Sequence, residues 1–132
     1  MSDLPAILKE VLDSSTVISG WAVAIGGATA AMIIGTSHNR PDSWTLRLLY
    51  LLFLPGWAGL AYSIFLGNQL VGRYLATRFN PSSINAISEK INNLYADQRF
   101  YLLCSLAFFG AWLIGYTLAW IFLKQLRAGD KQ

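Results

Sequence analysis

FYLLCSLAFFGAWLIGYTLAWIFL, residues Phe100–Leu123, contains no Asp, Glu, Lys, Arg or His. Wound as a helix at 1.5 Å per residue it reaches roughly 36 Å, enough to cross a hydrocarbon core of about 30 Å. A single apolar segment in lipid has to satisfy its own backbone, which a helix does without a partner strand. The alternating polarity of a membrane β-strand is missing. One side carries a row of small residues at i+4 spacing, Ala107, Ala111, Gly115 and Ala119. One position further on runs an aromatic ridge of Phe108, Trp112, Tyr116 and Trp120. Small rows let helix backbones approach closely in lipid, so this pattern predicts helix packing in preference to a ligand or cofactor box.

Two more stretches lack the same five residue types, one between Ser14 and Ser37 and one between Leu48 and Gly72. Three uncharged runs predict three transmembrane helices, at 16–36, 46–67 and 100–123. The composition agrees: 55% of the 132 residues are hydrophobic and only 13% charged, about half the charged share usual in soluble domains. That length allows a single domain. The small-x-small site Ala28-Thr29-Ala30 raises the question of a cleaved signal peptide. Asp3, Glu10 and Asp13 stand where a positive leader is needed, and the apolar run continues through Ile34, so the first span is expected to be retained.

Ahead of the first span, Leu4, Ile7, Leu8, Val11 and Leu12 follow helical periodicity, with Lys9, Glu10 and Asp13 elsewhere on the wheel. Residues 1–13 therefore read as an amphipathic N-terminal helix, capped by Asp3 and lying at the membrane against the protein's own helices. The first span has small residues in two rows. Val23, Gly27, Ala31 and Gly35 form one, and Gly20, Ala24 and Ala28 the other, so this helix is expected to be the most protein-contacted of the three. A polar turn, Ser37–Ser43, follows, with Asp42 or Ser43 as a cap for the next helix.

The second span contains Leu54-Pro55-Gly56-Trp57-Ala58-Gly59. Pro55 lacks a donor and crowds the carbonyl of Leu51, predicting a kink. Gly56 and Gly59 add flexibility or room for a neighbour, which makes Pro55, Gly56 and Gly59 the candidate hinge. Beyond Gly67 an apolar stripe continues through Leu70, Val71, Tyr74, Leu75 and Phe79 until Asn80-Pro81-Ser82-Ser83 breaks it. It resumes at Ile84, Ile87, Ile91, Leu94 and Tyr95. Residues 68–99 thus read as a helical hairpin extending the second and third spans past the bilayer, with those five residues as a candidate partner surface. Residues 124–132 form a polar tail.

The net charge of +3 does not argue for nucleic acid, because the basic residues flank the spans, where they reach headgroups. Lys9, Arg73, Arg78, Lys90 and Arg99 fall on the hairpin side, and Arg40, Arg47, Lys124, Arg127 and Lys131 on the other, so flanking charge leaves the orientation open. A cytoplasmic hairpin in a bacterial inner membrane is the expectation, on the ground that larger polar elements usually stay inside. The lone Cys104 excludes an internal disulfide and reads as packing. One histidine, His38, without a Cys, Asp or Glu cluster does not make a metal site. No span carries a haem-ligating histidine or a mid-membrane charge. No P-loop is present, and Ser105 has no base nearby. The expectation is no enzyme, no cofactor, no metal and no nucleic-acid partner; small-molecule ligands are not indicated by any motif.

The resulting expectation is an all-α integral membrane protein and non-enzymatic small subunit. It assembles through its small-residue faces, Gly27, Ala31 and Gly35 in one helix and Ala107, Ala111, Gly115 and Ala119 in another. Its partners are the lipid bilayer and either its own copies or other membrane subunits. The alternative is an oligomeric pore or channel, holin-like or ion-conducting, hinged at Pro55-Gly56.

Overall fold

A computed structural model describes residues 3–36 and 44–129. Among them the backbone is almost entirely helical: α1 (Leu4–Thr36), α2 (Trp44–Tyr50), α3 (Phe53–Phe79) and α4 (Ile84–Gly129), with a 3₁₀ turn at Pro81–Ser83. Three segments, Leu4–Gly35, Arg47–Phe79 and Pro81–Phe122, are long and apolar enough to cross a membrane, which fits a multi-pass integral membrane protein. The expected turn at Ser37–Ser43, including His38 and Arg40, lies outside the described residues, as does the end of the polar tail. The part of that tail up to Gly129 continues α4.

α1 runs 33 residues without interruption, about 50 Å. The Asp3 carbonyl accepts its first backbone bond, from the Ile7 N–H at 2.9 Å, and Pro5 falls in the first turn, where its missing donor costs nothing. The amphipathic residues 4–12 are thus the opening turns of the same helix as the first span, with no break at Asp13-Ser14-Ser15. Nothing in that stretch forces one, since it holds neither Pro nor Gly.

The second span is interrupted, and the interruption lies one turn before its proline. Pro55 cannot donate to the Leu51 carbonyl, and the ladder tightens into i→i−3 bonds just upstream. Leu51 N–H donates to Leu48 O, Leu52 N–H to Leu49 O and Leu54 N–H to Leu51 O, at 3.1, 3.1 and 3.2 Å. α2 therefore ends at Tyr50 and α3 begins at Phe53. The break follows from the two backbone defects of proline, the lost donor and the clash with the carbonyl four residues back.

Asn80 closes α3. Its N–H donates to Ala76 O at 3.0 Å, and its φ of −137° and ψ of 82° lie outside the helical region, which is disfavoured for a residue before proline. Its side-chain Oδ1 accepts from Ser82 Oγ at 2.6 Å and its carbonyl from Ser83 Oγ at 2.9 Å. The chain reverses within four residues, and α3 and α4 lie against each other as the helical hairpin expected from the sequence. α4 has 46 residues, about 69 Å, more than twice the thickness of a hydrocarbon core.

The α3–α4 pair is the most extensively packed in the molecule, and α1 rests on it more lightly. In the most apolar stretch of each helix, 6% is buried in the first against 22% in the second and 11% in the third. The expectation that the first span is the most protein-contacted of the three does not hold within one chain. The glycines of its small rows, Gly20, Gly27 and Gly35, meet no neighbour from α3 or α4, and the close contacts are made by other glycines.

Candidate functional site

Four glycines create the close helix contacts. A Cβ on Gly56 would stand 2.5 Å from Cε1 of Phe109, and one on Gly115 would stand 2.8 Å from Cδ2 of Leu49. A Cβ on Gly59 would overlap Ser105 Oγ, and one on Gly67 would lie 2.6 Å from Ser19 Oγ. Around Gly56 an aromatic cluster joins α2, α3 and α4. Phe53 meets Trp112 edge-on at 4.9 Å and Phe109 at 5.4 Å, and Tyr50 and Tyr116 flank Trp112. Trp112 is buried, and its Nε1 has no hydrogen-bond partner among the described residues.

Three helices meet at Gln98, which is fully buried together with Ser63, while Ser15 is 1% exposed. The Gln98 Oε1 accepts from Ser15 Oγ at 2.6 Å. Its Nε2 donates to Ser19 Oγ at 3.1 Å and to the Ser15 carbonyl at 3.3 Å. Its backbone carbonyl accepts from Ser63 Oγ at 3.0 Å. Both amide protons and the amide oxygen are thereby used, as a buried carboxamide requires. Gly67 clears the space for this knot, since a side chain there would displace both Ser19 and Gln98. A second polar tie joins α1 to α3: Trp57 Nε1 donates to Thr29 Oγ1 at 2.8 Å, and that hydroxyl donates to the Ile25 and Gly26 carbonyls.

None of these polar residues was singled out from the sequence. The signal was present: Gln98 lies seven residues after Ile91, on the inward stripe that begins at Ile84. Ser15 likewise lies seven after Leu8. A polar residue in register with an apolar stripe is the mark of a buried hydrogen bond, and charged neighbours Asp97 and Arg99 disguised it as part of a polar boundary.

The residues chosen from the sequence fall into three groups. Gly27, Ala31 and Gly35 are exposed, and a Cβ on Gly27 or Gly35 would meet nothing within 4 Å. On α4, Ala107 and Ala111 are exposed, while Gly115 and Ala119 are half-buried, so the small row is divided between an open and a covered half. Of the three hinge candidates, Pro55 is exposed, Gly59 half-buried and Gly56 buried beneath Phe109. The apolar face of Ile84, Ile87, Ile91, Leu94 and Tyr95 is not left open for a partner. It packs with Leu70 and Tyr74 of α3 and with Leu4, Leu8, Val11 and Leu12 of α1. The opening turns of α1 fill the groove of the hairpin, so the amphipathic stripe finds its cover inside the chain.

Beside these contacts an open apolar groove of about 330 Å³ runs between α1 and α3, with Ala22, Gly26 and Gly27 on one wall and Trp57, Ala61 and Ile64 on the other. Among the described residues no group of three His, Cys, Asp or Glu side chains gathers. No family model, curated protein or solved structure matches the chain.

Proposed function

We propose that the chain is a non-enzymatic membrane subunit that assembles into a homo-oligomer or a larger membrane complex through its exposed helix faces. The observation that carries this reading is the division of the glycines. Gly56, Gly59, Gly67 and Gly115 each admit a neighbour from the same chain, whereas Gly20, Gly27 and Gly35 of α1 meet nothing. Glycine in a helix interior costs about 0.8–1.0 kcal/mol relative to alanine, and in lipid the common return is a close helix–helix contact. The open groove beside Gly27 gives an incoming helix room. In this reading the hairpin head projects beyond the bilayer, because α4 is too long to be covered by lipid alone. It is assigned to the cytoplasmic side of a bacterial inner membrane on the ground that larger polar elements usually stay inside.

The test is the size of the assembly extracted from its own membrane in mild detergent, read by native mass spectrometry. Gly27→Leu combined with Ala31→Leu should shift it to a smaller species while leaving helicity unchanged. An unchanged assembly would refute the interface.

A pore hinged at Pro55-Gly56 draws less support. Gly56 lies against the Phe109 ring, so bending there means separating a tight contact between α3 and α4. Dye release from liposomes containing the purified protein would favour the pore; its absence under every stimulus would remove it.

A further inference from the structure

α3 carries a second pattern that the fold leaves unused. Beginning at Leu54 and ending at Phe79, the positions 54, 58, 61, 65, 68, 72, 75 and 79 alternate in steps of four and three, and every one is exposed. Leu54 is 62% exposed, Phe65 51%, Leu75 50% and Phe79 88%. Steps of four and three keep these positions on one face of the helix, and the same spacing lets two helices wind around each other.

We infer that α3 pairs with α3 of a second copy of this chain, in parallel, through this seam. The inference rests on the homo-oligomeric form of the function proposed above and adds a face on α3 to the α1 face named there. Four observations converge on a second copy as the occupant. First, the seam is roughly 38 Å long at 1.5 Å per residue, longer than a hydrocarbon core of about 30 Å, so lipid tails do not cover all of it. Second, its single polar member, Asn68, is self-complementary. A carboxamide has both donor and acceptor, and two copies inserted with the same orientation bring their Asn68 side chains face to face across a two-fold axis. One asparagine in an apolar seam is the device that fixes register and copy number in paired helices.

Third, charge is sparse along this face: none of its eight positions is charged, and the charged residues next to them are Arg73 and Arg78. Fourth, the surface is sufficient. At 150–250 Å² for a fully covered aromatic ring, Phe65 and Phe79 of two copies alone supply about 400–700 Å². That is a quarter or more of the ~1,600 Å² of a standard interface before Leu54 and Leu75 are added. Ala58, Ala61 and Gly72 let the backbones approach, and Ala61 opens onto the groove beside Gly27.

Single cysteines placed in a Cys104→Ala background and oxidised in native membranes test this directly. Asn68→Cys and Ala61→Cys, on the seam, should give a disulfide-linked dimer in several-fold higher yield than Arg73→Cys, which is exposed but off the seam. A Gly27→Cys variant separates the two readings. If Gly27→Cys cross-links while the seam positions stay monomeric, the chain oligomerises by another face and the α3 pairing is wrong. If neither cross-links and native mass spectrometry returns a monomer, both readings fall. Cross-linking of Asn68→Cys to a different protein, or only to added lipid-anchored thiols, also overturns self-pairing.

Discussion

The missing side chain of Gly67 faces the carboxamide of Gln98 across the α3–α4 hairpin: a Cβ there would stand 2.7 Å from Nε2. Because Ser19 Oγ lies as close on the other side, a methyl group has nowhere to go without breaking a hydrogen bond. Gly67→Ala should therefore destabilise the bundle by about 1–3 kcal/mol, the usual penalty for overpacking. Gly27→Ala makes the opposite prediction for the monomer. With open space around it, the change removes the glycine penalty and raises stability by up to about 1 kcal/mol. Denaturation of the two variants in mixed micelles, followed by circular dichroism, checks the contrast. Equal effects would show that Gly67 is not tightly enclosed.

Gln98→Leu tests the knot itself. The substitution keeps the volume roughly constant but leaves the Ser15 and Ser19 hydroxyls without their buried partner. A loss of about 1–3 kcal/mol is expected, mostly the cost of unsatisfied groups and not of the bonds themselves. Adding Ser15→Ala and Ser19→Ala to Gln98→Leu should then recover part of that loss. A triple variant no more stable than the single one would mean that the hydroxyls find water or backbone instead.

How much of this was legible beforehand divides along physical lines. Three long apolar helices, the Asn80–Ser83 reversal and the packing of α3 on α4 could be read because each rests on local rules: charge-free length, proline at a turn and helical periodicity. The docking of Leu8 between Leu70 and Ile91 could not, because an amphipathic stripe shows that a face needs cover without showing what supplies it. The same ambiguity hid the glycines. Gly27 and Gly67 both sit among small or apolar neighbours, and spacing alone does not distinguish the one that meets Gln98 from the one that meets nothing. Rows at i+4 made Gly27 look the more important for packing within the chain. The contacts went instead to Gly56, Gly59, Gly67 and Gly115, which answer to particular large or polar side chains on other helices.

The pairing of Gly56 with Phe109 offers a compensation experiment. Gly56→Ala places a methyl group within 2.5 Å of the Phe109 ring, and a cost of about 1–3 kcal/mol is expected. Phe109→Leu alone should also destabilise, by leaving space beside Phe53. The two combined should cost less than their sum, with a coupling of at least about 0.5 kcal/mol, since each relieves the other. Strict additivity in a double-mutant cycle would show that the ring moves aside freely.

Pro55→Ala addresses the break between α2 and α3. Restoring a donor at residue 55 lets the chain form the Leu51 carbonyl bond that proline forbids, and the i→i−3 bonds at Leu51, Leu52 and Leu54 can relax to ordinary α-helical ones. Amide hydrogen exchange through residues 51–56 should slow accordingly. The straightened helix also carries a consequence for packing. Leu49 lies against Gly115 where α2 packs on α4, and straightening the chain at residues 51–54 is expected to draw it away and expose Gly115. The expected result is therefore mixed: slower exchange at 51–56, faster labelling of a cysteine introduced at Ala119 in a Cys104→Ala background, and little net change in stability. If exchange at 51–56 is unaffected, the interruption belongs to the packing of α2 on α4, not to the proline.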